Sequence, residues 1–169
     1  MTNPYEENEK VSKALVQVVQ QISDTADLTQ VLKPTSVGEN LKDLHERLLT
    51  VRARQQRLSE LVGTLIRIQG RMRKEVLQRE LDLSVAEAHA AHSKQMIMED
   101  YSSAKERTAR MMAKTLDEHV ALNAAKQLQA NADAALAYAQ NAHRELGNQA
   151  YDVRTRVKVL EMEGTLGGS

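Results

Sequence analysis

The chain has 169 residues, a net charge of zero and 2% aromatic residues, with no Phe, Trp or Cys. Aromatic side chains usually dominate a compact core, so the apolar Leu, Val, Ile, Met and Ala of this chain point to thin helix-on-helix seams rather than a thick globule. Without Cys there is no disulfide framework, thiol nucleophile or cysteine-ligated metal, and no apolar run approaches the roughly 18–20 residues that span a bilayer.

The N-terminal residues MTNPYEENEK are acidic and lack the apolar stretch of a signal peptide, so a cytoplasmic chain is expected. Asn3 before Pro4 reads as an N-cap with Pro at the first helical position. Val11, Leu15, Val18, Val19 and Ile22 recur at helical spacing and predict an amphipathic helix over about residues 4–22. Ser23-Asp24-Thr25 reads as its break, with Leu28, Val31 and Leu32 in one or two further turns. Pro34-Thr35-Ser36-Val37-Gly38 is the clearest linker, and Ser36 with Glu39 forms a capping box for the next helix. Residues 1–35 therefore read as an N-terminal helix and linker.

A very long helix follows. Leu41, Leu44, Leu48, Val51, Gln55, Leu58, Val62, Leu65, Gln69, Met72 and Val76 alternate three and four residues apart, a heptad seam interrupted only by the two Gln at equivalent positions. Leu48 to Met72 is the expected seam of a homo-oligomer, in which Gln55 and Gln69 would set register or subunit number. Gly63 and Gly70 are places for a stutter or kink. The seam weakens through Leu83, Ala86, Ala90 and Ile97; unbroken to Glu99, the helix would run roughly 90 Å. Asp100-Tyr101-Ser102-Ser103 reads as a turn, with Ser103 and Glu106 as a second capping box.

The last helical region has the cleanest pattern. Ala121, Ala125, Leu128, Ala132, Ala135, Ala139, Ala142, Leu146, Ala150, Val153, Val157 and Leu160 alternate four and three without a slip, and Gly147 softens the helix without breaking the phase. An Ala-lined seam permits close approach, most economically in an antiparallel pair. Gly164 and Gly167-Gly168-Ser169 read as a flexible tail over 164–169. The expected fold is all-α: an elongated, coiled-coil-like antiparallel helical hairpin over 36–163, with an extra N-terminal helix, assembled as an oligomer.

The zero net charge hides a strong asymmetry. Arg47 to Arg79 carries nine basic residues, eight of them Arg, against Glu60 and Glu75, and is flanked by acidic arms. Arg52 and Arg73 fall beside the seam, whereas Arg57, Arg67, Arg71 and Lys74 fall on outward faces, with Arg54 in the same run. Guanidinium forks suit phosphate, and binding of this kind releases counterions and depends on salt. Scarce aromatics leave few stacking platforms, so such binding would follow the backbone rather than the base sequence. A solvated face paired with Glu of the acidic arms accounts for the same residues.

His89 and His92 share a helix face at a spacing that suits two metal ligands, but no third ligand is evident and no metal or cofactor is expected. His119 and His143 stand near Glu118 and Glu145 as ordinary surface charge. Met96, Met98, Met111 and Met112 flank the turn, either as an adaptable surface or as packing at its end. No phosphate loop or nucleophile elbow occurs, and a thin helical pair offers little of the dry concavity that catalysis needs. An enzyme is not expected.

The second half carries a resemblance. A Ser-started helix with Lys105, Glu106, Arg107 and Arg110, a long Ala-rich helix and the terminal run Tyr151-Asp-Val-Arg-Thr-Arg-Val-Lys-Val-Leu-Glu-Met-Glu-Gly164 resemble phage UvsY-type recombination mediators over about residues 58–164. The resemblance implies a homo-oligomer that binds single-stranded DNA and loads a RecA-like recombinase while displacing single-strand-binding protein, in the cytoplasm of a phage's bacterial host. Arg154, Arg156 and Lys158 match the family's terminal basic helix, and Arg71-Met-Arg-Lys74 loosely matches its basic core motif. The chain departs from the family in lacking its aromatics and in having an extra N-terminal arm. The expected function is thus a non-enzymatic single-stranded-DNA-binding accessory factor. The alternative is a structural or assembly protein, such as a phage scaffold, tail or adaptor component, whose Arg block pairs with neighbouring subunits. A membrane partner is not expected, because the Arg stretch lacks a Trp/Phe insertion face.

Overall fold

The computed structural model describes residues 4–25, 40–92 and 104–166, and all of these are helical except Asn40, His92 and Thr115. The helices are α1 (Pro4–Thr25), α2 (Leu41–Ala91), α3 (Ala104–Lys114) and α4 (Leu116–Leu166). None of them is long and apolar enough to cross a membrane.

Side-chain to backbone bonding sets several of the helix ends. α1 continues through Ser23-Asp24-Thr25, the residues that read as its break. Gln20 donates to Asp24 at 2.9 Å and the Thr25 hydroxyl donates to Gln21 O at 2.6 Å, so the polar side chains support the last turn. α1 buries Val11, Leu15, Val18 and Ile22, whereas Val19, read as part of that face, is 38% exposed. α2 begins at Leu41 with Asn40 as its N-cap: the Asn40 side-chain oxygen accepts from Asp43 N at 3.0 Å and its carbonyl from Leu44 N at 3.2 Å. Ser36 and Glu39 lie outside the described residues, as do Leu28 to Gly38, Ile97, Met96, Met98 and the turn at 100–103. α2 passes Gly63 and Gly70 without interruption.

The interruption comes instead at Thr115, in a stretch that has no Gly or Pro. Its N–H is shared between Met111 O (3.2 Å) and Met112 O (3.3 Å), and its hydroxyl donates to Met111 O at 3.1 Å. A bifurcated bond and a back-bonding hydroxyl tighten that turn before α4 resumes. α4 then runs to Leu166, so Gly164 belongs to the helix and not to a tail; 167–169 lie outside the described residues.

The chain divides into two compact units, one of Met1–Ser12 with Arg67–Asp133 and one of Lys13–Ile66 with Ala134–Ser169. In the first, Val76 packs with Leu122 and Ala125, and Leu83 lies against them. Gln69 Nε2 donates to Asp133 Oδ1 at 2.6 Å, Lys126 pairs with Glu80 at 3.0 Å, and His119 lies 3.8 Å from Glu87. Partner numbers fall on α4 as they rise on α2, so the two segments of this unit run antiparallel. In the second unit, Leu44 and Leu48 pack with Val153 and Val157, flanked by Ala150 and Leu160, and Ser59 hydrogen-bonds His143 at 2.9 Å. The same rule makes these segments antiparallel.

Leu48, Val51, Leu58, Leu65 and Met72 are buried within the single chain, and Gln55, Val62 and Gln69 are half-buried. The stripe read as an oligomer seam is therefore covered by the chain's own helices. Leu41, at its start, is 37% exposed. In the second unit Leu61 and Leu136, both off the seam, are buried as well, as are Leu15, Val18 and Ile22 of α1.

Two adjacent residues test this division of inside and outside. Leu65 is fully buried and Ile66 is 51% exposed. Leu65→Ala is expected to lower stability by about 2–5 kcal/mol and Ile66→Ala by no more than about 0.5 kcal/mol, read by urea unfolding followed by helical circular dichroism.

Candidate nucleic-acid interface

The ten candidate contact residues are all on helices but not all in one place. Arg67, Arg71, Arg73 and Lys74 belong to the first unit, and Arg52, Arg54, Arg57, Arg154, Arg156 and Lys158 to the second. On α2, Arg67, Arg71 and Lys74 follow at intervals of four and three, so they form one exposed row. Arg73 is exposed on another side of the same turns.

In the second unit Arg54 is half-buried, whereas Arg52, Arg57, Arg154, Arg156 and Lys158 are exposed. Arg57 pairs with Glu60 on its own helix at 2.9 Å. Arg79, at the end of the basic block, is held between Glu75 (2.8 Å) and Asp82 (3.7 Å), again on its own helix. The exposed Arg57–Glu60 pair is worth at most about 1 kcal/mol, whereas Arg79 and Glu75 are partly buried. Among the described residues Arg52, Arg73, Lys74, Arg154, Arg156 and Lys158 have no carboxylate partner.

Two of these unpaired cations meet. Arg52 from α2 and Arg154 from α4 line one cavity of about 290 Å³, together with Gln55, Gly147, Ala150 and Tyr151. Helical spacing explains the convergence: Arg52 and Gln55 are three apart on α2, while Gly147, Tyr151 and Arg154 are four and three apart on α4. Gly147 makes the space, since a Cβ there would sit 3.3 Å from Gln55 Nε2. One turn further along the pair, Ser59 donates to Gln55 O at 3.1 Å and hydrogen-bonds His143. The cavity is thus lined by two guanidiniums, an amide and a phenol ring that is part of a 71% exposed residue. Such a set binds anions and offers a ring face, and it holds no nucleophile beside a base.

The positions that sequence reading left out are instructive. Gln55 was legible as a polar break in a seam, but the Gly147 opposite it becomes visible only once α2 and α4 are in register. Tyr151 was legible as part of a terminal motif, with no sign that it stands beside Arg52. His119 and His143, read as surface charge, are half-buried and face Glu87 and Ser59. His89 and His92 are exposed, and His92 Nδ1 lies 2.8 Å from Ala88 O. Met111 is half-buried and Met112 exposed.

No protein-family model, no curated protein and no solved structure matches this chain. Its function is therefore read from the chemistry of these side chains.

The role of Gly147 in shaping the cavity has a measurable counterpart in stability. Ala is favoured over Gly within a helix by about 1 kcal/mol, and the only near neighbour of a new Cβ is the end of the flexible Gln55 side chain. Gly147→Ala is expected to raise stability by about 0.5–1 kcal/mol in urea unfolding. A loss of stability would show that Gln55 is held too rigidly to give way.

Proposed function

We propose that this chain is a non-enzymatic accessory protein that binds single-stranded nucleic acid through its exposed arginines. One observation carries the reading: Arg52 and Arg154, from the two basic strips of the sequence, are both unpaired among the described residues and line the same cavity. Two like charges brought together in a folded protein favour an anion between them, and arginine's planar fork suits a phosphate. The exposed row Arg67, Arg71 and Lys74 supplies further backbone contacts.

In this proposal the helices form an antiparallel hairpin with α1 laid against it, and the protein works as a homo-oligomer in the cytoplasm of a phage's bacterial host. The resemblance to UvsY-type mediators supports the finer role: loading of a RecA-like recombinase onto single-stranded DNA while single-strand-binding protein is displaced.

A second reading, a structural or assembly protein, is favoured by a different observation. Leu77, Leu81 and Val85 are 65%, 58% and 47% exposed at intervals of four along α2, and Leu116 and Val120 are exposed on α4. Apolar rows of this kind suit contact with another helix. In that reading the basic block meets acidic surfaces of neighbouring subunits.

Fluorescence anisotropy with a labelled mixed-sequence single strand, titrated at several salt concentrations, separates the two. Nucleic-acid binding should weaken steeply as salt rises, with a log–log slope of about −0.7 per neutralised phosphate. Arg52→Ala with Arg154→Ala, which removes the one phosphate contact between them, is expected to reduce that slope by about 0.7 and the affinity by roughly 10–100-fold. Arg79→Ala, whose guanidinium is already held by Glu75 and Asp82, should change the slope little. Absence of binding even at low salt, with oligomers that dissociate as salt rises, would establish the assembly reading instead.

A further inference from the structure

The cavity between Arg52 and Arg154 contains more than charge. Tyr151 is one of only four aromatic residues in the chain, and it stands 71% exposed at the rim of the space that the two arginines line. An aromatic side chain contributes to a fold chiefly by being buried, and Tyr151 is not. Its ring is therefore available to a ligand. Gln55 adds an amide that both donates and accepts, and so can meet the edge of any base. Gly147 keeps the space open, and the volume of about 290 Å³ lies at the small end of ligand pockets.

We infer that this cavity is a one-nucleotide pocket, in which a phosphate sits between Arg52 and Arg154 while the attached base stacks on Tyr151. The inference rests on the nucleic-acid reading above and extends it from the backbone to the base. A chain so poor in aromatics would otherwise grip phosphates alone. Here a single ring, placed beside the phosphate site, supplies the π-face that every base can use, so the pocket tolerates any sequence while distinguishing a base from its absence. A free mononucleotide presents the same phosphate and base, so it should compete weakly for the pocket, whereas inorganic phosphate lacks the stacking part.

The chain has no Trp, so its ultraviolet emission comes from its four tyrosines, and the part that Tyr151 contributes is read by comparison with Tyr151→Leu. The test compares an oligothymidylate with an abasic strand of equal length and equal phosphate count, by tyrosine quenching and by anisotropy. The intact protein is expected to bind the base-bearing strand roughly 5–100-fold more tightly than the abasic one, with quenching by the former alone. Tyr151→Leu should abolish both the difference and the quenching, Tyr151→Phe should retain the difference, and neither should alter the salt slope or the thermal melt. Tyr138→Leu, at a tyrosine that is 47% exposed, should leave both intact. Equal affinity for the two strands, or a difference that survives Tyr151→Leu, overturns the pocket while backbone binding stands. If neither strand binds, the pocket and the nucleic-acid reading fall together.

Discussion

The close approach of α2 and α4 rests on alanine. On the buried face of α4, Ala125 and Ala132 in one unit and Ala135, Ala139 and Ala142 in the other are at most 8% exposed. Alanine holds a helix without loss of side-chain entropy, and its small side chain permits a neighbouring helix to come close; Leu58 and Leu65 of α2 are fully buried. Polar residues meet between α2 and α4 within each unit: Gln69 with Asp133 and Lys126 with Glu80 in one, Ser59 with His143 in the other. Gln69 illustrates the rule. A polar residue in a seam must find a partner, and here a carboxylate of the same chain accepts its amide proton, so no second subunit is needed to satisfy it.

Periodicity made much of this readable in advance. All twelve positions assigned to the α4 seam, from Ala121 to Leu160, are buried or half-buried, because a three-four pattern is a statement about one helix face and needs no partner to be correct. What periodicity omits is a second face. Leu61, Leu122 and Leu136 are buried off the pattern, and Gln149 is buried with neither amide atom partnered among the described residues. Helix ends were the other weak point. Thr25, Asn40 and Thr115 all use side-chain or backbone hydrogen bonds that compete with, or complete, a helical turn. The same residue types can break a helix or extend it, depending on which carbonyl or N–H they reach.

Charge was legible in amount but not in arrangement. The run Arg47 to Arg79 is visibly basic, yet its members have different fates. Arg57 and Arg79 find carboxylates within one helical turn and so lose part of their reach. Arg54 is half-buried, while Arg67, Arg71 and Lys74 line up on one exposed row. Arg52 and Arg154 are far apart in the chain and belong to different basic strips, and only the register of two antiparallel segments sets them on one cavity. A one-residue change in that register would turn one of them away. The candidate site is thus a consequence of the register of α2 and α4 in the second unit, where Gly147 stands opposite Gln55.

The exposure of the cavity sets how a ligand would be held. Arg52, Tyr151 and Arg154, which line it, are exposed, and charges in water interact by only about 1 kcal/mol at contact distances. One nucleotide in the Arg52–Arg154 space would therefore bind weakly and exchange quickly. An exposed cation pair of this kind gains useful affinity for a polyanion only through repetition, because each contact raises the effective concentration for the next. Many small interactions can be exchanged one at a time, where a single deep pocket would have to open at once.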